Sequence, residues 1–218
     1  MPAQQRIDYG LYVITDRGLA KGRSHTEVAR AAVAGGANVV QLRDKEASTL
    51  ELYKTGLALR EITARAGAVF IMNDRLDIAL AVDADGVHLG QDDLPPEAAR
   101  KLLGRGKILG LSVENPEQAA KAEGAGADYV AIGPIYEARG SKADAGPPVG
   151  PAAITAIRKA TRLPIIAIGG IRADQVSAVL QAGADGIAVI SAVVSAGDIK
   201  AAAEDFRRRI AASRSAHA

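Results

Sequence analysis

The chain contains no cysteine and no tryptophan, and only two phenylalanines. Without cysteine there is no disulfide, no thiolate nucleophile and no thiolate metal ligand. Aromatic residues make up 3% of the 218, which leaves little on which to stack nucleic-acid bases. Charge of one sign is also scarce: 27 Lys and Arg face 25 Asp and Glu, for a net +2. Such a balance sets up no strong field toward nucleic acid or membrane surfaces. There is no run of 18 apolar residues, and the start MPAQQRIDYG lacks the charged-then-apolar order of a signal peptide. These absences lead us to expect a cytoplasmic protein that acts on small molecules, with neither nucleic acid nor membrane as partner. The basic run Arg207–Arg209 reads as the solvated end of a last helix, followed by a frayed tail from about residue 212.

What is present is a rhythm. Short runs rich in Val and Ile recur along the sequence: Leu11–Thr15, Val39–Arg43, Val69–Met72, Gly86–Leu89, Ile108–Ser112, Tyr129–Gly133, Pro164–Ile168 and Gly186–Ser191. They are nearly continuously hydrophobic, as parallel strands covered on both faces should be. Ala-rich segments with helix-start signals lie between them, notably Ser48, Asn115-Pro116 and Gly150-Pro151. A weak repeat also appears in AGGANVV (34–40), VDADGV (82–87), GAGADYV (124–130) and AGADGIAV (182–189). Each copy resembles a helix end, a left-handed turn residue and a strand entry, and each precedes an even-numbered strand. Repeated βαβα quarters point to a closed (β/α)8 TIM barrel in the α/β class, spanning 1–218 as one domain with no linker. A doubly wound sheet is the alternative, but the turn after its first strand would be GxGxxG, whereas here it is TDRGLAKG.

In such barrels the chemistry sits at the C-terminal ends of the strands. The stretch Val69–Asp93 places two polar stops there, Asn73-Asp74 and Gln91-Asp92-Asp93, on neighbouring strands. Carboxylates from two loops suit Mg²⁺ held together with substrate phosphates. Acidic loop residues more often serve as helix caps or turn formers, and Asp74 is placed to be an N-cap. Gln41, Arg43 and Lys45 share one face of the second strand and are expected to point into the barrel mouth as an anion site. His88 reads as a packed core histidine. Ser112 ends the fifth strand, and the long stretch 137–150, EARGSKADAGPPVG, with Arg139 and Lys142, reads as a lid that closes on an anion. Gly169-Gly170 and Ile190-Ser191 follow strands seven and eight, where backbone N–H groups often hold phosphate. Two anionic subsites would suit a pyrophosphate and a monophosphate.

Taken together, LYVITDR (11–17), VQLRDK (40–45), MNDR (72–75), DGVHLGQDDLP (85–95), LGLSV (109–113), DYVAIGPIY (128–136), IGGI (168–171) and GADGIAVISAV (183–193) resemble the thiamine phosphate synthase family over nearly the whole chain. The resemblance implies a transferase of thiamine biosynthesis. Its substrates would be 4-amino-2-methyl-5-hydroxymethylpyrimidine pyrophosphate and 4-methyl-5-(2-hydroxyethyl)thiazole phosphate, giving thiamine phosphate and pyrophosphate. It further implies that Gln41, Leu42, Arg43, Asp44, Lys45, Asn73, Ser112 and Lys142 bind the pyrimidine pyrophosphate. Asp74 and Asp93 would hold Mg²⁺, with Asp93 chosen over Asp92 because the family's acid is the second after Gly-Gln. Arg43, Lys45, Lys142 and Ser112 would be catalytic, and Arg139, Gly140, Ser141, Gly170, Ile190 and Ser191 would hold the thiazole phosphate. The lid departs from the family's Y-P-T-x-T-K-x-D: YEARGSKAD is one residue longer, with Arg139 where the first Thr would fall. A guanidinium there can grip phosphate in a fork. A thiazole tautomerase, a catalytically silent thiamine phosphate-binding barrel and a Schiff-base aldolase using Lys45 stay open as alternatives, as does a homodimer.

Overall fold

The computed structural model describes residues 7–137 and 146–216. Eight parallel strands close into a barrel in sequence order, the last pairing with the first. They are β1 (Leu11–Thr15), β2 (Val39–Leu42), β3 (Val69–Asn73), β4 (Gly86–Leu89), β5 (Ile108–Val113), β6 (Tyr129–Ile132), β7 (Ile165–Ile168) and β8 (Gly186–Val189). The surrounding helices are α1 (His25–Ala34), α2 (Thr49–Ala66), α3 (Leu76–Ala81), α4 (Pro96–Leu103), α5 (Pro116–Gly124), α6 (Gly150–Ala160), α7 (Val176–Gln181), α8 (Ser191–Val194) and α9 (Ile199–Ser215). The expected (β/α)8 architecture is what the chain forms. Strand residues are buried on both faces, some toward the interior and some under the helices.

Local signals start the helices. Ser24 and Ser48 each form a capping box with the Glu three residues on, Glu27 and Glu51. Such a cap is worth about 1 kcal/mol. Asn115 accepts from Gln118 N ahead of Pro116. The segment 173–181 opens as a 3-10 turn, Ala173–Gln175, before α7.

The quarter repeat is built in detail at the N-terminal face. Its turn residues are left-handed in all four copies: Gly36 (φ 88°), Asp83 (φ 53°), Gly126 (φ 83°) and Gly183 (φ 109°). Two residues later a side-chain oxygen of Asn38, Asp85, Asp128 or Asp185 accepts a backbone N–H from the first or second residue of the preceding odd strand. The donors are Leu11, Phe70, Leu109 and Ile165, at 2.9, 2.7, 2.8 and 2.8 Å. Arginines from the neighbouring helices close the last three sites: Arg60 on Asp85 at 2.6 Å, Arg100 on Asp128 at 2.6 Å and Arg158 on Asp185 at 3.0 Å. In the first, Asn38 donates to Asp8 at 2.9 Å.

That last arrangement corrects the expected frayed tail. Helix α9 continues to Ser215 because Arg214 donates to Asp8 at 2.7 Å and to the Asp185 carbonyl at 2.5 Å. The helix end is therefore tied to the barrel floor through Arg214, with Ser213 buried beside it.

Candidate active site

The strand ends open into a cavity of about 920 Å³. Side-chain alternation decides which residues of the β2 end reach it. Gln41 points inward and is 2% exposed, while Arg43 and Lys45, just beyond the strand, line the cavity. Arg43 is held in place by Asp16 from the loop after β1, at 2.9 Å.

Two residues expected at the substrate are turned elsewhere. Leu42 has the opposite parity to Gln41 and is buried at 1% exposure in the hydrophobic core. Asp44 accepts from Arg17 at 2.7 Å, from His25 at 3.0 Å and from the backbone N–H groups of Glu46 and Ala47 at 3.1 Å. Burial raises its pKa, but the hydrogen bonds from His25 and Arg17 outweigh that and hold the carboxyl below its ordinary value. Its side chain shapes the loop and does not face the cavity.

Asn73 and Asp74 end β3. Asp74 is not the cap of α3: that position falls on Arg75, with no side-chain capping bond. Asp74 instead adopts φ 59°, a left-handed conformation that costs a non-glycine residue energy. Its N–H is tied to the His88 carbonyl at 2.9 Å. From the β4 end, Asp93 folds back to accept Gly90 N–H at 2.7 Å, and its carboxyl meets that of Asp74 in a hydrogen bond. Burial pushes the Asp74 carboxyl up to about 6; the charge and hydrogen bond of Asp93 act in the same direction, against the pull of Lys45 and Arg43. Two carboxyls in contact cannot both ionise cheaply, so the pair asks for a proton or a cation.

The donor set fits a hard divalent cation, since it is all oxygen and leaves room for water and phosphate. No group of three or more acidic or histidine ligands exists among the described residues. Two carboxylates alone make an incomplete cage, which is the usual way Mg²⁺ sits against a substrate phosphate.

Across the cavity lie Gly169, Gly170, Ile190 and Ser191. Gly170 has φ 66°, and a Cβ there would stand 2.6 Å from the carbonyl oxygens of both Tyr136 and Glu137. The glycine pair therefore seats the root of the β6 loop, with Tyr136 N–H donating to Gly169 O at 2.9 Å. The return of that loop is fastened nearby, Val149 N–H to Pro134 O at 2.9 Å. Arg139, Gly140, Ser141 and Lys142 lie outside the described residues.

Several cavity residues were missed or misread. Arg172 and Gln175 also line the cavity; the only signal for them was their place one and four residues after IGGI. His88 is packed, as expected of a strand histidine, but it also lines the cavity, with Nε2 3.0 Å from Ser112 Oγ.

The comparisons agree on one family. The family model described as thiamine monophosphate synthase matches residues 11–193. A thiamine-phosphate synthase of Methanoculleus marisnigri is 54% identical over 95% of this chain and 98% of its own length. One from Chloroflexus aurantiacus is 53% identical over 92% of each. Among solved structures, thiamine phosphate pyrophosphorylase from Pyrococcus furiosus superposes with a TM-score of 0.87 and 42% identity, covering 95% of this chain and 98% of that one. The chain belongs to the thiamine monophosphate synthase family.

Proposed function

We propose that this chain joins the pyrimidine pyrophosphate to the thiazole phosphate, releasing pyrophosphate and forming thiamine phosphate. The observation that carries this reading is the contact between Asp74 and Asp93, flanked by Arg43 and Lys45 and facing Gly170, Ile190 and Ser191 across one cavity. The C–O bond from the pyrimidine methylene to diphosphate breaks, and a C–N bond to the thiazole nitrogen forms. That nitrogen brings its own lone pair, so the protein need not supply a base to make the nucleophile. An aminopyrimidine is electron-rich enough to carry positive charge on its methylene as the diphosphate leaves.

The protein's task is then alignment and charge stabilisation. Arg43, fixed by Asp16, and Lys45 bind the departing diphosphate. Asp74 and Asp93 would hold Mg²⁺, which supplies further positive charge at the leaving group. The Gly169-Gly170 turn and the Ile190-Ser191 backbone anchor the thiazole phosphate, and Lys142 and Arg139 would add positive charge for the anions. Shielding the reacting carbon from water prevents hydrolysis. The test is to mix the two phosphorylated halves with and without Mg²⁺ and measure joined product and pyrophosphate. Proton exchange on the thiazole without pyrophosphate release would instead indicate a tautomerase.

A further inference from the structure

Beneath the cavity floor a chain of hydrogen bonds crosses the barrel interior, and the proposed chemistry makes no use of it. Gln41 Nε2 donates to the Tyr12 hydroxyl at 2.8 Å, and Tyr12 and Tyr129 hydroxyls meet at 2.9 Å. Tyr129 reaches His88 Nδ1 at 3.0 Å, and His88 Nε2 reaches Ser112 Oγ at 3.0 Å. The His88 ring is stacked on Tyr129, 5.6 Å between centroids and 20° between planes. Tyr12 and Tyr129 are 1% and 0% exposed, and burial raises both phenols well above their ordinary pKa, so their protons stay on.

Because Gln41, Tyr12 and Tyr129 are buried and His88 and Ser112 are half-buried at the cavity edge, proton positions along the chain are not independent. Gln41 donates to Tyr12, so Tyr12 must pass its own proton to Tyr129, and Tyr129 must donate to His88 Nδ1. His88 is thereby fixed as the neutral Nε2–H tautomer, donating to Ser112. A proton on Nδ1 would turn Tyr129 back onto Tyr12 and leave the buried Tyr12 proton without an acceptor, a costly arrangement. The two ends are then set as well. Ser112 Oγ accepts from His88, which leaves its own proton to turn to the cavity. Gln41, with its amide nitrogen on Tyr12, leaves its carbonyl oxygen for the recess of about 40 Å³ that both residues line.

We infer that the buried chain Gln41–Tyr12–Tyr129–His88–Ser112 fixes the hydrogen-bonding polarity of its two ends, presenting one donor and one acceptor to the substrate ring, and so selects an aminopyrimidine over its oxo counterpart. An aminopyrimidine edge offers an N–H₂ donor and a ring-nitrogen acceptor, the complement of Gln41 carbonyl and Ser112 hydroxyl. An oxo ring offers an acceptor and an N–H donor instead. Its oxo group would meet the Gln41 carbonyl, and turning that amide over would require reversing every proton in the chain. This inference rests on the functional reading above for its substrate. Tyr12, Tyr129 and His88 act as positioning residues, through Gln41 and Ser112.

The test has two arms. In full-length protein labelled with ¹⁵N-histidine, NMR should show His88 as the neutral Nε2–H tautomer, assigned by comparison with His88→Asn. An Nδ1–H signal overturns the inference without any reference to catalysis. In the second arm, kcat/KM is measured for the 4-amino and 4-oxo pyrimidine pyrophosphates. The wild-type preference for the amino substrate should drop by about tenfold in Tyr129→Phe, chiefly through KM. An undiminished preference overturns the inference. If Tyr129→Phe does not fold, Tyr12→Phe breaks the same chain one link away and gives the same two outcomes. Absence of product from wild-type protein with either pyrimidine counts against the functional reading, and the NMR arm then decides the polarity by itself.

Discussion

The two rims of the barrel handle carboxylates in opposite ways. At the N-terminal face, Asp85, Asp128 and Asp185 each accept a backbone N–H from the first or second residue of a strand and each meet an arginine. At the C-terminal face, Asp74 and Asp93 meet one another, and Asp74 sits in a left-handed backbone that only a constrained site maintains. One rim is complete in the folded chain; on the proposed function the other would be completed by a bound cation. On the proposed function the same residue type would serve stability below and chemistry above, with its neighbours deciding which.

The sharpest break in this contrast is at Asp74. Asp74→Ala should lower kcat by at least about a hundredfold in a Mg²⁺-dependent coupling assay, with the melting temperature held or raised. Near-normal turnover in the purified variant would remove Asp74 from the mechanism. The converse change, Asp128→Ala, strips Leu109 N–H and Arg100 of their shared partner. It should cost about 2–3 kcal/mol in urea unfolding, with kcat altered by less than about twofold.

Between these extremes lies Gly170, where conformation and space both exclude a side chain. Gly170→Ala should destabilise by about 1–3 kcal/mol and raise KM for the thiazole phosphate more than for the pyrimidine. An equal effect on both would detach the glycine turn from that subsite.

The smallest effect concerns pH. The folded Asp74 pKa of about 6 lies above the ordinary 3.8, so the folded chain binds this proton more tightly than the unfolded one. This group's contribution to stability is full below about pH 3.8 and is lost as pH rises through 6. In metal-free protein Asp74→Asn should flatten that decline and raise Tm at pH 8 by about 2–4 °C. Added Mg²⁺ should stabilise wild type and leave the variant unmoved.

The barrel was legible because its repeat is written in small residues with a physical task. A left-handed turn followed by Asn or Asp two residues on appears four times, and the structure shows why both are needed. The two metal-candidate carboxylates were legible as polar stops at the ends of adjacent strands. What sequence could not decide was which neighbour claims a polar group. Asp44 is a cavity candidate by position, yet Arg17 and His25, from other loops, take it. Leu42 entered only through resemblance to a contiguous motif, and pleating puts it on the outer face. His88 was half read: its packing was visible in the strand pattern, but its bonds to Tyr129 and Ser112 arise from residues 41 and 24 positions away. Helix α9 outlasts its expected end because Asp8, near the other terminus, draws Arg214 onto the floor.

The Gly169-Gly170 turn has an architectural effect apart from any phosphate. Tyr136 is fastened to Gly169, and Val149 to Pro134, so both shoulders of the intervening span are riveted to the scaffold. Lengthening or shortening that span leaves the rivets where they are. A change of length between those two points can thus be absorbed without shifting a strand, and the frame beneath keeps its shape.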